Sequence, residues 1–148
     1  MSFLALQRDE RFSPNSVEND KAILSAVCDE LKRCARLADD VPMISEKSFI
    51  RQPRYADIIL TMARSEEALT LLSQLEDEGC SVVNNPSGVR NCRRSVLVRQ
   101  MKDNHIPTAC EDGDNGFWLK RNDSSAQQKD DIVFCQTRKE LAVARQRF

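Results

Sequence analysis

Residues 55–62, YADIILTM, constrain the fold of this chain more than any other stretch. Ile58, Ile59 and Leu60 are consecutive apolar residues, whereas a strand with one solvated face alternates apolar and polar side chains. A continuous apolar run is typical of a strand whose sheet is covered on both faces. The neighbouring sequence therefore has to supply helices for both sides of a sheet.

Two helices and three further strands are predicted in the same half of the chain. The predicted strands are residues 2–7, 41–45, 55–62 and 80–84. The first helix begins with Asn15 as its cap and Glu18 three residues on, and it ends near Arg36. The second helix has Ser65 as its cap and Gly79 as its stop. Residues 46–54 are predicted to be a polar connection between strands.

This order of elements predicts an α/β fold, a Rossmann-like parallel sheet with helices on both faces. Such sheets bind ligands at the carboxyl ends of their strands. Those ends carry Arg8, Glu46, Arg64, Asn84 and Asn85, which either face a substrate or are solvated loop residues. Both interpretations are open. No G-x-G-x-x-G follows the first strand and no phosphate loop is present, which argues against ordinary nicotinamide and NTPase sites.

Composition excludes several classes of protein. The 148 residues carry a net charge of −1, and no basic field or polybasic run indicates nucleic acid or a membrane surface as a partner. No apolar run reaches the length of a membrane span, and the first residues do not form a secretory signal. The six cysteines lack zinc-site spacing, and His105 is the only histidine. Cys28 and Cys34 are predicted to be reduced, buried side chains of a cytoplasmic protein.

The second half of the chain is different in character. Residues 89–104 are predicted to form a basic helical segment, which Pro107 prevents from continuing. Two short strands, at residues 117–121 and 132–135, flank a polar loop, and a last helix begins with Thr137 as its cap. The predicted domains are therefore residues 1–88 and residues 89–148.

Two stretches of this half carry a resemblance to a known family. Residues 82–109, VVNNPSGVRNCRRSVLVRQMKDNHIPTA, resemble the junction between the two N-terminal domains of ATP-grasp carboxylate–amine ligases. That superfamily includes glutathione synthetases, D-alanine–D-alanine ligases and ribosomal-protein glutamate ligases. FWLKRND and DDIVF resemble the strand whose lysine binds ATP and the strand after the phosphate-covering loop. Residues 1–88 then look like the pre-ATP-grasp domain, and residues 89–148 look like part of the ATP-grasp N-terminal lobe.

The resemblance implies roles for particular residues. Lys120 matches the lysine that contacts the nucleotide phosphates and the adenine edge. Arg94 stands where many members have a second phosphate-binding lysine, and arginine keeps the charge with a different geometry. Residues 122–127, with Ser124 and Ser125, match the covering loop, although they lack its usual glycines.

ATP and magnesium are the family's cofactors, but its magnesium ligands come from a second half that this sequence does not include. Asp123, Asp130 and Asp131 are the only carboxylates near Lys120, and we expect them to be solvated loop charges. The expected function is thus that of the N-terminal part of an ATP-dependent ligase, which contributes phosphate contacts without being catalytically competent alone.

The alternative is a non-enzymatic α/β module that forms homo-oligomers or binds a partner protein. An incomplete lobe exposes the apolar surface that its missing half would cover. The residues expected near that surface are Phe117, Trp118, Phe134 and Phe148. A Rossmann-like regulator that binds a small molecule is a third interpretation, which no motif supports.

Overall fold

The computed structural model describes residues 1–109, 113–121 and 131–147. The chain divides into two compact units, Met1–Arg90 and Asn91–Phe148. We describe each unit separately.

The unit Met1–Arg90 is built on a four-stranded sheet in which every neighbouring pair of strands is parallel. Its strands are β1 (Phe3–Gln7), β2 (Met43–Ser45), β3 (Ile58–Thr61) and β4 (Ser81–Val83), in the spatial order β2-β1-β3-β4. Its helices are α1 (Val17–Ala35), α2 (Glu46–Arg51), α3 (Glu66–Asp77) and the start of α4 (Pro86–Asn91). The predicted α/β class with a parallel sheet is confirmed.

Both faces of this sheet are covered, as the apolar run in β3 indicated. On one face, Leu6 of β1 and Ile59 of β3 belong to a core that also contains Phe49 of α2 and Leu72 of α3. On the other face, Ala5 of β1 packs with residues of α1. Successive residues of a strand point to opposite faces, so Ala5 and Leu6 contribute to different cores.

The segment after β2 is a helix, and the prediction of a polar connection over residues 46–54 was wrong. Ser45 caps α2 by accepting a hydrogen bond from the Ser48 backbone N–H at 3.1 Å. Phe49 and Glu46 are completely buried despite the polar appearance of the segment. Parallel strands cannot be joined by a tight turn, so a crossover is needed between β2 and β3, and α2 is part of it.

Two further details differ from the sequence predictions for this unit. The first helix starts at Val17 with Ser16 as its cap residue, one position later than the predicted cap Asn15. Cys34 is exposed on α1, whereas Cys28 is buried as predicted. Ser65 caps α3 as predicted, accepting from the Ala68 backbone N–H at 3.3 Å.

The unit Asn91–Phe148 contains a β-hairpin and two helices. These elements are α5 (Arg94–Asp103), β5 (Phe117–Lys120), β6 (Ile132–Cys135) and α6 (Arg138–Arg145). The strands are antiparallel, with Phe117 opposite Cys135 and Lys120 opposite Ile132. The predicted hairpin is present, and Thr137 caps α6 by accepting from the Glu140 backbone N–H at 3.2 Å.

The predicted basic segment at residues 89–104 consists of two helices instead of one. The helix α4 ends at Asn91 and α5 begins at Arg94, so Cys92 and Arg93 interrupt the helical conformation. Within the described part of the chain, no helix has the combined length and apolar character needed to cross a membrane.

Candidate functional site

The carboxyl ends of β1 and β3 form the first candidate site. These strands are neighbours in the parallel sheet, and the helices that follow them, α1 and α3, pack on opposite faces of it. Glu46 is completely buried there. Its Oε2 accepts a hydrogen bond from the Asp9 backbone N–H at 2.8 Å. Its Oε1 accepts from the backbone N–H groups of Arg64 at 3.1 Å and Ser65 at 2.6 Å. The amide donors at this edge are therefore already bound to a carboxylate of the chain itself.

Arg8 also makes an internal contact at this edge. Its guanidinium forms an ion pair with Asp20 at 3.0 Å, and its Nε lies 3.4 Å from the Met62 carbonyl oxygen. Both charged side chains are largely buried. Arg8 thus connects β1, α1 and the end of β3 in the folded unit.

The two asparagines after β4 have structural contacts as well. Asn84 has a positive φ of 63° and donates from Nδ2 to the Thr61 carbonyl at 2.9 Å. The Asn85 side chain accepts from the Gly88 backbone N–H at 2.7 Å at the start of α4. Of the five residues predicted at this edge, Arg64 alone has an exposed side chain with no hydrogen bond to a described residue. The side chains of the other four bind other parts of the chain itself, and these contacts give no support to the interpretation that they face a substrate.

The second candidate site lies at the loop end of the β5–β6 hairpin, where the resemblance placed phosphate contacts. Lys120 is the last residue of β5, and its side chain is exposed. Arg94 is the first residue of α5, and its guanidinium Nη1 donates to the carbonyl oxygen of Arg121 at 2.5 Å. Because Arg121 directly follows Lys120, the structure brings the Arg94 guanidinium to the residue beside Lys120.

The two predicted serines cannot be placed. Ser124 and Ser125 lie outside the described residues, because residues 122–130, which include the whole predicted covering loop of residues 122–127, are not described. The described part of the site is therefore a pair of cations, Lys120 and Arg94. Neither side chain has an ion pair with another described residue.

An ion pair that the sequence analysis missed closes the base of this loop. Arg121 donates from Nε and Nη2 to Oδ1 of Asp131 at 3.0 and 2.7 Å. The Arg121 backbone N–H also donates to the Asp131 carbonyl at 2.9 Å. Asp131 is only 4% exposed, so the expectation that it is a solvated loop charge was wrong. The sequence feature that could have indicated this ion pair is the presence of opposite charges, Arg121 and Asp131, at the two ends of a polar loop.

The outward face of the hairpin combines aromatic rings with the Lys120 ammonium. Trp118 is 66% exposed and Phe134 is 44% exposed. Their ring centroids are 5.1 Å apart with the planes tilted by 56°. Trp118 and Lys120 are two residues apart on one strand, so their side chains lie on the same face. Phe117 and Leu119 are half-buried on the opposite face, so the two faces of β5 differ in exposure.

No cluster of three or more His, Cys, Asp or Glu side chains that could hold a metal ion occurs among the described residues. Asp131 is the described carboxylate nearest in sequence to the hairpin loop, and it is engaged by Arg121. The described residues therefore do not fit a magnesium ion, although the two cations fit phosphate oxygens.

Three of the thiols are held in their protonated form by their surroundings. Burial raises the pKa of Cys28 and the pKa of Cys80 above the ordinary thiol value. Glu30 accepts a hydrogen bond from the Cys34 thiol at 3.2 Å and raises the pKa of that group. These three cysteines are therefore poor nucleophiles at neutral pH.

The fold and these contacts define a class of protein: an α/β unit with a parallel sheet, followed by a basic helix and a hairpin unit. Comparison with protein-family models, with curated proteins and with solved structures finds no match to this chain.

Proposed function

We propose that Lys120 and Arg94 bind the phosphates of a nucleotide, as in the N-terminal part of an ATP-grasp carboxylate–amine ligase. The observation that carries this proposal is the contact of the Arg94 guanidinium with the Arg121 carbonyl, one residue from Lys120. Two cations at one loop end repel each other unless an anion lies between them. Arg121 already neutralises Asp131, so that carboxylate leaves both cations available to a ligand.

The shape of the hairpin supports the same proposal. Trp118 shares a face with Lys120 and exposes an aromatic surface on which a flat base can stack. A ligand that combines an aromatic base with several phosphates matches this pairing of ring and ammonium. The unit provides no described magnesium ligands, so we assign it phosphate contacts and no catalytic step.

Titration of MgATP into the protein, followed by calorimetry, tests the proposal. We expect measurable binding that weakens about tenfold, or about 1.4 kcal/mol, in Lys120→Ala and in Arg94→Ala. The matched control is Arg99→Ala, which removes an exposed arginine from the same helix α5. Equal affinity in the wild type and Lys120→Ala, or an equal loss in Arg99→Ala, would contradict the proposal.

A second candidate function is association through the outward face of the hairpin, with no enzymatic role. The exposed and mutually contacting rings of Trp118 and Phe134 favour it, because large exposed aromatic surface is typical of interfaces. Phe117 is half-buried and faces away from this surface, and Phe148 lies outside the described residues. Sedimentation at increasing protein concentration separates the candidates.

For association through this face, we expect the chain to form dimers and the Trp118→Ser variant to remain monomeric. Tyr55→Ser is the matched control, since Tyr55 is an aromatic residue with similar exposure in the other unit. A protein that stays monomeric at high concentration without nucleotide would exclude self-association through this face.

A further inference from the structure

An open groove of about 400 Å³ lies beside β6 and is independent of Lys120 and Arg94. Val133 and Cys135 contribute its strand side, and Val143 and Ala144 contribute its helix side. Among the described residues, β6 and the α6 region line the groove, whereas β5 does not. The groove therefore follows the edge of β6 that is turned away from β5.

Along that edge of β6, the backbone groups of Ile132 and Phe134 have no hydrogen-bond partner among the described residues. Within the described ranges β6 pairs with β5 alone, so its other edge has no partner strand. The Arg121 backbone N–H donates to the Asp131 carbonyl, which makes residues 121 and 131 a hydrogen-bonded pair. Hydrogen-bonded and non-hydrogen-bonded pairs alternate along an antiparallel ladder. The backbone N–H and C=O groups of Ile132 and Phe134 consequently point away from β5.

Unpaired cations line the same groove. Lys139 and Arg147 contribute to its wall, are exposed, and have no ion pair with another described residue. The wall also contains one acidic residue, Glu140, whose Oε2 accepts from the Gln136 backbone N–H at 2.9 Å, so two cations and one anion leave its described lining with a net charge of +1. Residues 91–148 contain 11 Lys and Arg against 8 Asp and Glu, so the whole unit favours an anionic partner.

We propose that an extended peptide segment binds in this groove as a third strand beside β6, with one apolar side chain and an acidic side chain two residues to either side of it. Its backbone pairs with Ile132 and Phe134, and these three side chains share the face that is turned toward α6, with the apolar one against Val143. Its acidic side chains meet Lys139 and Arg147. A second copy of this chain fits less well, because a symmetric β6–β6 contact places the same cations against each other. A two-stranded hairpin is marginal in water, so a third strand also stabilises it.

The test uses a fluorescent eight-residue peptide, Thr-Thr-Glu-Thr-Val-Thr-Glu-Thr, added to the full chain and followed by anisotropy. We expect saturable binding that Val143→Glu weakens at least about tenfold, because a carboxylate is placed in the groove. Val98→Glu is the matched control, since Val98 is a partly exposed valine on α5 outside the groove. We expect Val98→Glu to bind the peptide within about twofold of the wild type.

Two further measurements identify the mode of binding. In amide exchange experiments, the peptide should slow exchange at Ile132 and Phe134, the two groups assigned to the free edge. The same peptide with lysine in place of glutamate should bind at least about tenfold more weakly, because Lys139 and Arg147 repel it. Lys139→Glu should reverse this preference, whereas Arg99→Glu should not.

Three outcomes would overturn the proposal. The first is equal binding of the glutamate and lysine peptides. The second is unchanged affinity in Val143→Glu. The third is dimerisation that Val143→Glu abolishes while the peptide fails to bind, which would assign the groove to a second copy of the chain.

Discussion

Glu46 shows how a single buried residue can determine what an α/β sheet offers to ligands. A buried carboxylate is costly unless hydrogen bonds compensate for its loss of hydration. Three backbone N–H groups, from Asp9, Arg64 and Ser65, supply that compensation here. The sequence could not reveal this, because an acidic residue beside a lysine in a polar segment has the pattern of a solvated loop.

Replacing Glu46 by glutamine tests its role at the residue scale. One amide oxygen can accept from Arg64 and Ser65, but the NH₂ group then faces the Asp9 N–H without an acceptor. We expect Glu46→Gln to lower the free energy of unfolding by about 3 kcal/mol. Urea denaturation measures it, with Glu18→Gln at an exposed position as the control. A change within about 0.5 kcal/mol, the range of ordinary surface substitutions, would contradict this role.

Asp57 predicts a dependence of stability on acid pH. The Ser2 backbone N–H donates to its carboxylate at 2.5 Å, and the Ser2 hydroxyl does so at 3.0 Å, so the pKa of Asp57 is below its ordinary value. A lowered folded-state pKa stabilises the fold above the unfolded value of about 4, and this contribution disappears as pH falls through the folded value. The contact joins the residue before β1 to the residue before β3.

We expect Asp57→Asn to unfold at a lower temperature than the wild type between pH 5 and 7, and the difference to shrink below about pH 4. Thermal unfolding followed by circular dichroism across this range measures it. The control is Asp114→Asn, which changes an exposed aspartate in the other unit. If the difference in unfolding temperature between the wild type and Asp57→Asn stayed constant down to about pH 2, the stabilising role of the Asp57 carboxylate would be contradicted.

At the scale of elements, the patterns that repeat along the chain were predictable. The apolar run in β3, the Ser65 cap of α3 and the Thr137 cap of α6 depend on neighbouring residues, and all three are present. The helix α2 was missed because its helical stretch is short and its buried residues, Glu46 and Phe49, are separated by polar ones. A helix at this position is favoured because β2 and β3 run parallel and need a crossover connection. That requirement comes from the sheet as a whole and not from the local sequence.

The same distinction applies to the candidate site. Lys120 and Arg94 were selected from a resemblance, and no feature of the sequence showed that Arg94 would reach the Arg121 carbonyl. The Arg121–Asp131 pair spans ten positions, and local periodicity does not detect contacts at that separation. Charge complementarity across the ends of a predicted loop is the pattern that would have suggested it.

Gly116 provides a test of the hairpin as an element. Its φ is +84°, and an added Cβ would lie 2.5 Å from the Phe134 ring and 2.9 Å from the Cys135 carbonyl oxygen. We therefore expect Gly116→Ala to destabilise the hairpin by about 2 kcal/mol or more, measured by amide exchange in β5 and β6. Gly113→Ala is the matched control, because its added Cβ meets no atom of the described residues within 4 Å. Equal exchange rates in the two variants would contradict the steric argument.

At the scale of the whole molecule, the two units differ in how much apolar surface they bury. Most of the buried hydrophobic residues lie in Met1–Arg90, in cores on both faces of the sheet. In the described part of Asn91–Phe148, Cys135 and Ala144 are the buried hydrophobic residues. The same unit exposes Leu97, Trp118 and Val143, so its folded state gains less from burial.

We expect the two units to differ in local stability accordingly. Amides of β1 and β3 should exchange slowest, and those of β5 and β6 should exchange at least about 100-fold faster, a difference of about 2.7 kcal/mol. Hydrogen exchange followed by mass spectrometry measures this difference. Protection of β5 and β6 equal to that of β1 would show that the chain unfolds as one cooperative unit.

The carboxylate of Glu46 also suggests a route to engineering. Glycine at position 46 would remove the side chain and leave the Asp9, Arg64 and Ser65 amides without their acceptor. A small anion such as formate could then restore the lost stability in a dose-dependent way, as in chemical rescue. The natural side chain acts as a tethered anion, so binding these amides costs it less entropy than it would cost a dissolved anion.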